Sequence, residues 1–197
     1  DLFFEVVKED GVAEYLTTLF LFGCTVIFAI RSVRSLKKGN KKFLLFNFLM
    51  FLLFVFGTGE EISWGQRLLG TETGEFFQEY NYQGETNLRN LELWGINLNK
   101  LLFSRLMFVA LLFYFLIVPL LVLKSEKVRL LIIRFDAPLA RLHHTIAFFA
   151  MNILILTINL IKEDELHELS LGAILFLILL SPATKIRGLA VRKTRLG

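Results

Sequence analysis

The run LLFSRLMFVALLFYFLIVPLLVL, residues 101–123, carries a single charge, Arg105, in 23 residues. A helix rises about 1.5 Å per residue, so roughly 20 apolar residues cross a hydrocarbon core. A helix on the surface of a soluble domain would show a polar face at helical spacing. This run has none, and it predicts a membrane-spanning helix. Working outward, further apolar blocks begin near Tyr15, Phe43, Leu142 and Leu166. The second continues into Gly57-Thr58-Gly59-Glu60-Glu61, and the fifth stops at Ser181-Pro182. The expected spans are about 15–33, 43–62, 101–123, 142–161 and 166–182. They form one all-α transmembrane bundle over 1–197, with a long loop at about 63–100 that is partly helical and interfacial.

Composition agrees. Hydrophobic residues make up 55% of the chain and charged residues 20%, whereas soluble domains carry about 25% charge. The net charge of +4 invites a nucleic-acid reading, but the basic residues flank apolar blocks instead of forming a groove, so no nucleic-acid partner is expected. The single cysteine, Cys24, lies inside an apolar block and excludes a disulfide framework. The chain opens at Asp1 and not at a methionine, which leaves room for an upstream segment. Nothing in it has the form of a signal peptide.

Charge placement sets orientation. Arg31, Arg34, Lys37, Lys38, Lys41 and Lys42 lie between the first two blocks. Lys124, Lys127, Arg129, Arg134 and Arg141 lie between the third and fourth, and Lys185, Arg187, Arg192, Lys193 and Arg195 lie in the tail. One side therefore holds 16 of the 22 basic residues, and the other holds 16 of the 18 acidic ones. Excess Lys and Arg marks the cytoplasmic side. Five spans then put the N-terminus outside, the C-terminus inside and an acidic face outside.

Gly59-Glu60-Glu61-Ile62-Ser63-Trp64-Gly65-Gln66-Arg67 continues directly from the second block. Carboxylates at that depth are costly to desolvate and are functional candidates by default. A continuing helix would set Glu60, Ser63 and Arg67 on one face, with Trp64 anchoring it at headgroup level. The bland alternative is a tryptophan-anchored helix end whose polar groups satisfy their neighbours. A second polar cluster, Gln83-Gly84-Glu85-Thr86-Asn87-Leu88-Arg89-Asn90, follows the aromatics Phe76, Phe77, Tyr80 and Tyr82. Glu85-Thr86-Asn87 is expected to open a short interfacial helix running to Trp94. The loop is too long for a simple connection, and its aromatics argue that it folds back onto the membrane surface.

Glu9-Asp10-Gly11 with Glu14-Tyr15-Leu16-Thr17, then Glu60-Glu61-Ile62-Ser63-Trp64-Gly65-Gln66-Arg67, then Gln83-Gly84-Glu85-Thr86-Asn87-Leu88, resembles a family of uncharacterised bacterial polytopic membrane proteins. The resemblance covers roughly the N-terminal half. It implies a multi-pass protein of the bacterial inner (plasma) membrane and no particular chemistry. The family's third motif often closes on His-Asn where this chain has Arg89-Asn90, which takes an imidazole away from that position.

The expected catalytic set is Glu60, Glu61, Ser63, Gln66, Arg67 and Glu85, with Asn87, Arg89, Arg105 and Trp64 as ligand contacts. Arg105 is expected to partner the Glu60-Glu61 pair. Adjacent carboxylates can share a proton, which suits acid–base work. Glu60, Glu61 and His167 form a weaker set for a divalent cation. His143 and His144 read as interfacial histidines at the opposite end. Thr145, Asn152 and Asn159, and likewise Thr18 and Thr25, recur every seven residues as interhelical packing groups. No phosphate-binding loop, dinucleotide fingerprint, serine elbow or metal-cysteine pattern occurs.

Three functions fit these residues. One is an outer-interface site that binds or processes a lipid-like or anionic ligand, membrane lipids being the natural partners. The second is a non-catalytic subunit or scaffold of a larger membrane complex, docking a partner through its outer loop. The third is a homo-oligomeric cation channel lined by Glu60 or Glu61.

Overall fold

A computed structural model describes residues 2–8, 11–37, 39–158 and 163–183. Glu9 and Asp10 of the first motif, Lys38, Asn159, Lys162 and the basic tail from Lys185 lie outside the described residues.

The protein is mostly helical. A short helix α1 (Leu2–Val7) precedes α2 (Val12–Lys37) and α3 (Lys41–Glu61), which form an antiparallel pair. The long loop holds α4 (Gln66–Leu69), α5 (Glu75–Tyr80) and a two-stranded hairpin, β1 (Glu92–Leu93) with β2 (Ile96–Asn97). A continuous helix, Asn99–Lys124, follows; it is π-wound at Asn99–Leu106 and Phe113–Ile117 and α-helical at α6 (Met107–Leu112) and α7 (Val118–Lys124). Pro119 offers no N–H to the carbonyl four residues before it and crowds that carbonyl; the second π turn widens the helix at that place. Then come α8 (Glu126–Phe135), α9 (Leu142–Ile158) and α10 (Glu163–Leu180).

Three stretches are long and apolar enough to cross a membrane: Glu5–Lys37, Lys41–Glu61 and Asn99–Lys124. Leu142–Thr157 is apolar but shorter. Their outward faces are apolar too, with Leu19, Phe22, Leu53, Phe108, Val109 and Ile153 all more than half exposed. An exposed apolar surface of this extent marks a surface made for contact and not for water.

Helix α10 sits at the centre. One of its faces carries Ile174 and Ile178 into a cluster with Phe115 of the Asn99–Lys124 helix and Phe148 of α9, whose rings stack at 4.4 Å. The next face carries Leu175, Phe176 and Leu179 into a second cluster with Cys24 and Phe28 of α2 and Phe54 of α3. Glycine sets how closely α2 and α10 meet: a Cβ on Gly23 would lie 2.6 Å from the Phe176 ring. Hydroxyls on α2 turn inward onto their own helix, Thr17 to Ala13 O (3.0 Å) and Ser32 to Phe28 O (2.8 Å), so burial leaves them satisfied. Thr25 also approaches Thr58 of α3 at 3.5 Å. Thr18 does not bridge helices; its buried hydroxyl has no partner among the described residues.

The two ends of the bundle differ in charge. At the basic end, Arg31 donates to the Asp136 carbonyl (2.5 Å) and carboxylate (2.7 Å), tying α2 to the end of α8. His144 is buried there, accepting the Arg141 N–H at 3.2 Å. The acidic end carries the long loop and the start of α10.

Candidate functional site

Helix α3 does not continue through the second motif. It ends at Glu61, and Ser63 (φ +46°), Trp64 (φ +54°) and Gly65 (φ +80°) take the left-handed region in succession. Only glycine enters that region without steric cost, so Ser63 and Trp64 are held there against strain of ~1–3 kcal/mol each. The surroundings hold them. Gly59 leaves a flat bed for the Trp64 indole, since a Cβ there would lie 2.9 Å from the ring. The indole then folds back so that its Nε1 donates to Glu60 Oε1 at 2.8 Å.

Glu60 is 3% exposed. Its second oxygen accepts the backbone N–H groups of Leu88 (2.7 Å) and Arg89 (2.9 Å). Both Glu60 oxygens thus accept N–H donors from within the chain. Glu60 fastens the third motif onto the second.

The third motif is not a helix either. Residues 81–91 form turns closed by a bridge between Asn81 and Leu91, and the chain then enters the hairpin. Polar side chains replace a ladder. Ser63 Oγ donates to Glu85 Oε2 (2.7 Å) and accepts from Asn87 Nδ2 (3.0 Å). Asn81 Nδ2 donates to the Asn87 carbonyl and side chain, each at 3.0 Å, and its oxygen accepts the N–H groups of Gln83 and Glu85. Gln66 accepts the Thr86 N–H at 2.6 Å and donates to Thr73. Asn81, Asn87 and Asn90 are nearly inaccessible, so each unmet group would cost ~1–3 kcal/mol.

Two arginines fasten this cluster to the helices. Arg67 pairs with Glu14 of α2 and with Glu85 (3.3 Å), and donates to the Glu61 carbonyl at 3.2 Å. Arg89 pairs with Glu168 of α10 (2.7 Å), Glu61 (3.4 Å) and Glu165 (3.7 Å). Burial works to lower the pKa of Arg89, but the Glu168, Glu61 and Glu165 carboxylates outweigh it and hold the guanidinium above the ordinary arginine range. It is a permanent cation.

The expected residues thus converge, with Glu60, Glu61, Ser63, Gln66, Arg67, Glu85, Asn87, Arg89 and Trp64 in one cluster, but the cluster is filled. The void beside it, between Glu14, Thr18, Ile62 and Arg67, is about 10 Å³, too small for a substrate. Among the described residues no group of three or more His, Cys, Asp or Glu is arranged to hold a metal ion, so Glu60, Glu61 and His167 do not assemble as a cation site.

Arg105 departs from its expected place. It does not meet Glu60 or Glu61; the loop arginine, Arg89, takes that role. Arg105 lines a cleft of about 400 Å³ between the Asn99–Lys124 helix, α9 and α10, at the acidic end. The polar residues of this cleft are Asn99, Arg105, Asn152, Asp164, His167 and Glu168, and its apolar lining is Phe108, Leu111, Phe148, Leu156 and Leu171; on α9, Asn152 lies about one turn farther from the acidic end than Leu156. Asn152 bonds its own helix, donating to Phe148 O at 2.7 Å, and among the described residues it makes no bond to a neighbouring helix. Phe108 and Leu156 are 51% and 64% exposed, so the cleft opens sideways onto the apolar surface. Sequence reasoning found Arg105 and His167 but not the cleft, which draws on three helices of which none carries a motif. The available signal was polar residues, Arg105 and Asn152, inside two apolar blocks. Comparison with family models, curated proteins and solved structures finds no match to this chain.

Proposed function

We propose that the chain is a five-span membrane protein, N-terminus outside and C-terminus in the cytoplasm, whose outer half binds an amphiphile in the cleft between the Asn99–Lys124 helix, α9 and α10. The motif resemblance adds the bacterial inner membrane as its home. One observation carries the reading: a cleft with charged groups at its mouth and aromatic and aliphatic walls below opens sideways onto apolar surface. That gradient matches a lipid, head at the interface and chains along Phe108 and Leu156. The motif cluster acts as the frame of this site, because Arg89 bonds Glu168 at the cleft's edge. The test is native mass spectrometry from lipid nanodiscs. The wild-type chain should retain lipid, and Leu156→Trp, which fills the cleft's rim from a position outside both core clusters, should release it. Equal retention by both would sink the reading.

A second reading, a scaffold that docks a partner, draws on Trp94. It is 93% exposed at the hairpin tip and sits at φ +53°. Brominated lipids separate the two: quenching of Trp94 fluorescence assigns the tip to the membrane surface, and its absence favours a protein partner.

A further inference from the structure

We infer that the headgroup held in the cleft is zwitterionic, a phosphate bound by Arg105 joined to a primary ammonium bound by Asp164; this rests on the amphiphile reading above. The acidic end of the molecule otherwise pairs its charges closely. Arg67 takes Glu14 and Glu85, and Arg89 takes Glu61, Glu165 and Glu168. Against that pattern, Arg105 and Asp164 both line one cleft, yet among the described residues neither has an ion-pair or hydrogen-bond partner. Two opposite charges on one cleft, not joined to each other, are complementary to a ligand that carries both signs.

Simpler headgroups fit worse. A purely anionic lipid would satisfy Arg105 but bring its phosphate toward the Asp164 and Glu168 carboxylates. A cationic amphiphile would satisfy those carboxylates and leave Arg105 opposed. A phosphate–ammonium pair meets both, with the guanidinium on phosphate oxygens in its forked geometry. The ammonium is primary for a separate reason. Quaternary ammonium groups are recognised by aromatic faces, and of the cleft's two aromatics Phe148 is buried with its ring stacked on Phe115, which leaves Phe108 alone where a cage needs several faces. An N–H donor suits a carboxylate, as a methylated nitrogen does not. The apolar walls commit the ligand to a lipid and not to its free headgroup.

The test presents nanodiscs containing equal amounts of ethanolamine, choline and glycerol phospholipids with identical chains, and reads the lipid retained by native mass spectrometry. The wild-type chain should prefer the ethanolamine lipid by roughly tenfold, about the worth of one charge-assisted hydrogen bond. Asp164→Asn should erase the preference over the glycerol lipid by lowering retention of the ethanolamine lipid alone, and Asp164→Lys should reverse it. Arg105→Gln should lower retention of all three. Asp164 is exposed at the start of α10, so these variants leave the packing alone. If lipid is retained but the glycerol or choline lipid binds as well as the ethanolamine one, the headgroup assignment falls and the amphiphile reading stands. If nothing is retained, the amphiphile reading itself falls. Displacement by soluble glycerophosphoethanolamine would overturn the choice of a lipid as ligand.

Discussion

Arg89 Nη1 lies 2.7 Å from Glu168 Oε2, joining two residues 79 positions apart and tying the long loop to the central helix α10. Glu168 also lines the cleft, so one carboxylate belongs to both the frame and the site. Replacing Arg89 with alanine would leave Glu61, Glu165 and Glu168 facing one another without a cation, and breaking such a partly buried cluster costs ~3–5 kcal/mol. Lysine tests the charge alone. It keeps the cation but loses the fork that reaches several carboxylates, and Arg89→Lys should cost ~1–3 kcal/mol at neutral pH. The pH dependence follows from the raised pKa of Arg89. A base whose folded pKa exceeds its unfolded value contributes fully below the unfolded pKa and loses that contribution as pH rises through the folded one. For arginine this lies beyond ordinary alkaline conditions. For lysine, with a free value of ~10.4, it comes within reach. Thermal melts in detergent should therefore show Arg89→Lys losing stability relative to wild type above about pH 10.4. Parallel curves for the two proteins across alkaline pH would refute the clamp.

Glu60 makes a contrasting prediction, because its place is structural. Glutamine keeps one acceptor oxygen but turns an amide N–H₂ toward donors that the carboxylate satisfied at 2.7–2.9 Å. Glu60→Gln should cost ~1–3 kcal/mol per orphaned donor, or roughly 2–4 °C of melting temperature per kcal/mol at this chain length. Hydrogen exchange should show the Leu88 and Arg89 amides losing protection first. Full stability combined with lost lipid retention would return Glu60 to a chemical role.

How the sequence foretold these features differs by scale. The helices were legible because each is a block of apolar residues bounded by charge: the expected 43–62 and 101–123 are Lys41–Glu61 and Asn99–Lys124 in the structure. The end of α3 was not legible. Helical phase placed Glu60, Ser63 and Arg67 on one face, and they do converge, but through three left-handed residues held by the Trp64–Glu60 bond on the Gly59 bed. Nothing local announces a bond between an indole and the carboxylate four residues before it in place of another helical turn. The partner of Glu61 was misassigned for a related reason. Arg105 is near in the expected topology, whereas Arg89 reaches Glu61 only because Glu60 has already captured the N–H groups of residues 88 and 89. Long-range choices of this kind depend on backbone that the polar cluster itself shapes, and no spacing rule encodes them.

The proposed orientation gives the last prediction. The acidic and basic ends are opposite in the structure, so the sidedness assigned from Lys and Arg is checked by one residue from each. Cys24 is fully buried and contributes little background to thiol labelling. Glu79 on α5 and Lys127 on α8 are both exposed, the first at the acidic end and the second at the basic end. In intact cells, Glu79→Cys should react with a membrane-impermeant maleimide and Lys127→Cys should react only after permeabilisation. The reverse pattern would invert the topology and move the cleft to the cytoplasmic leaflet. Labelling of both from outside would mean that the helices do not separate the two ends by a bilayer, and the lipid-facing role of Phe108 and Leu156 would fall with it.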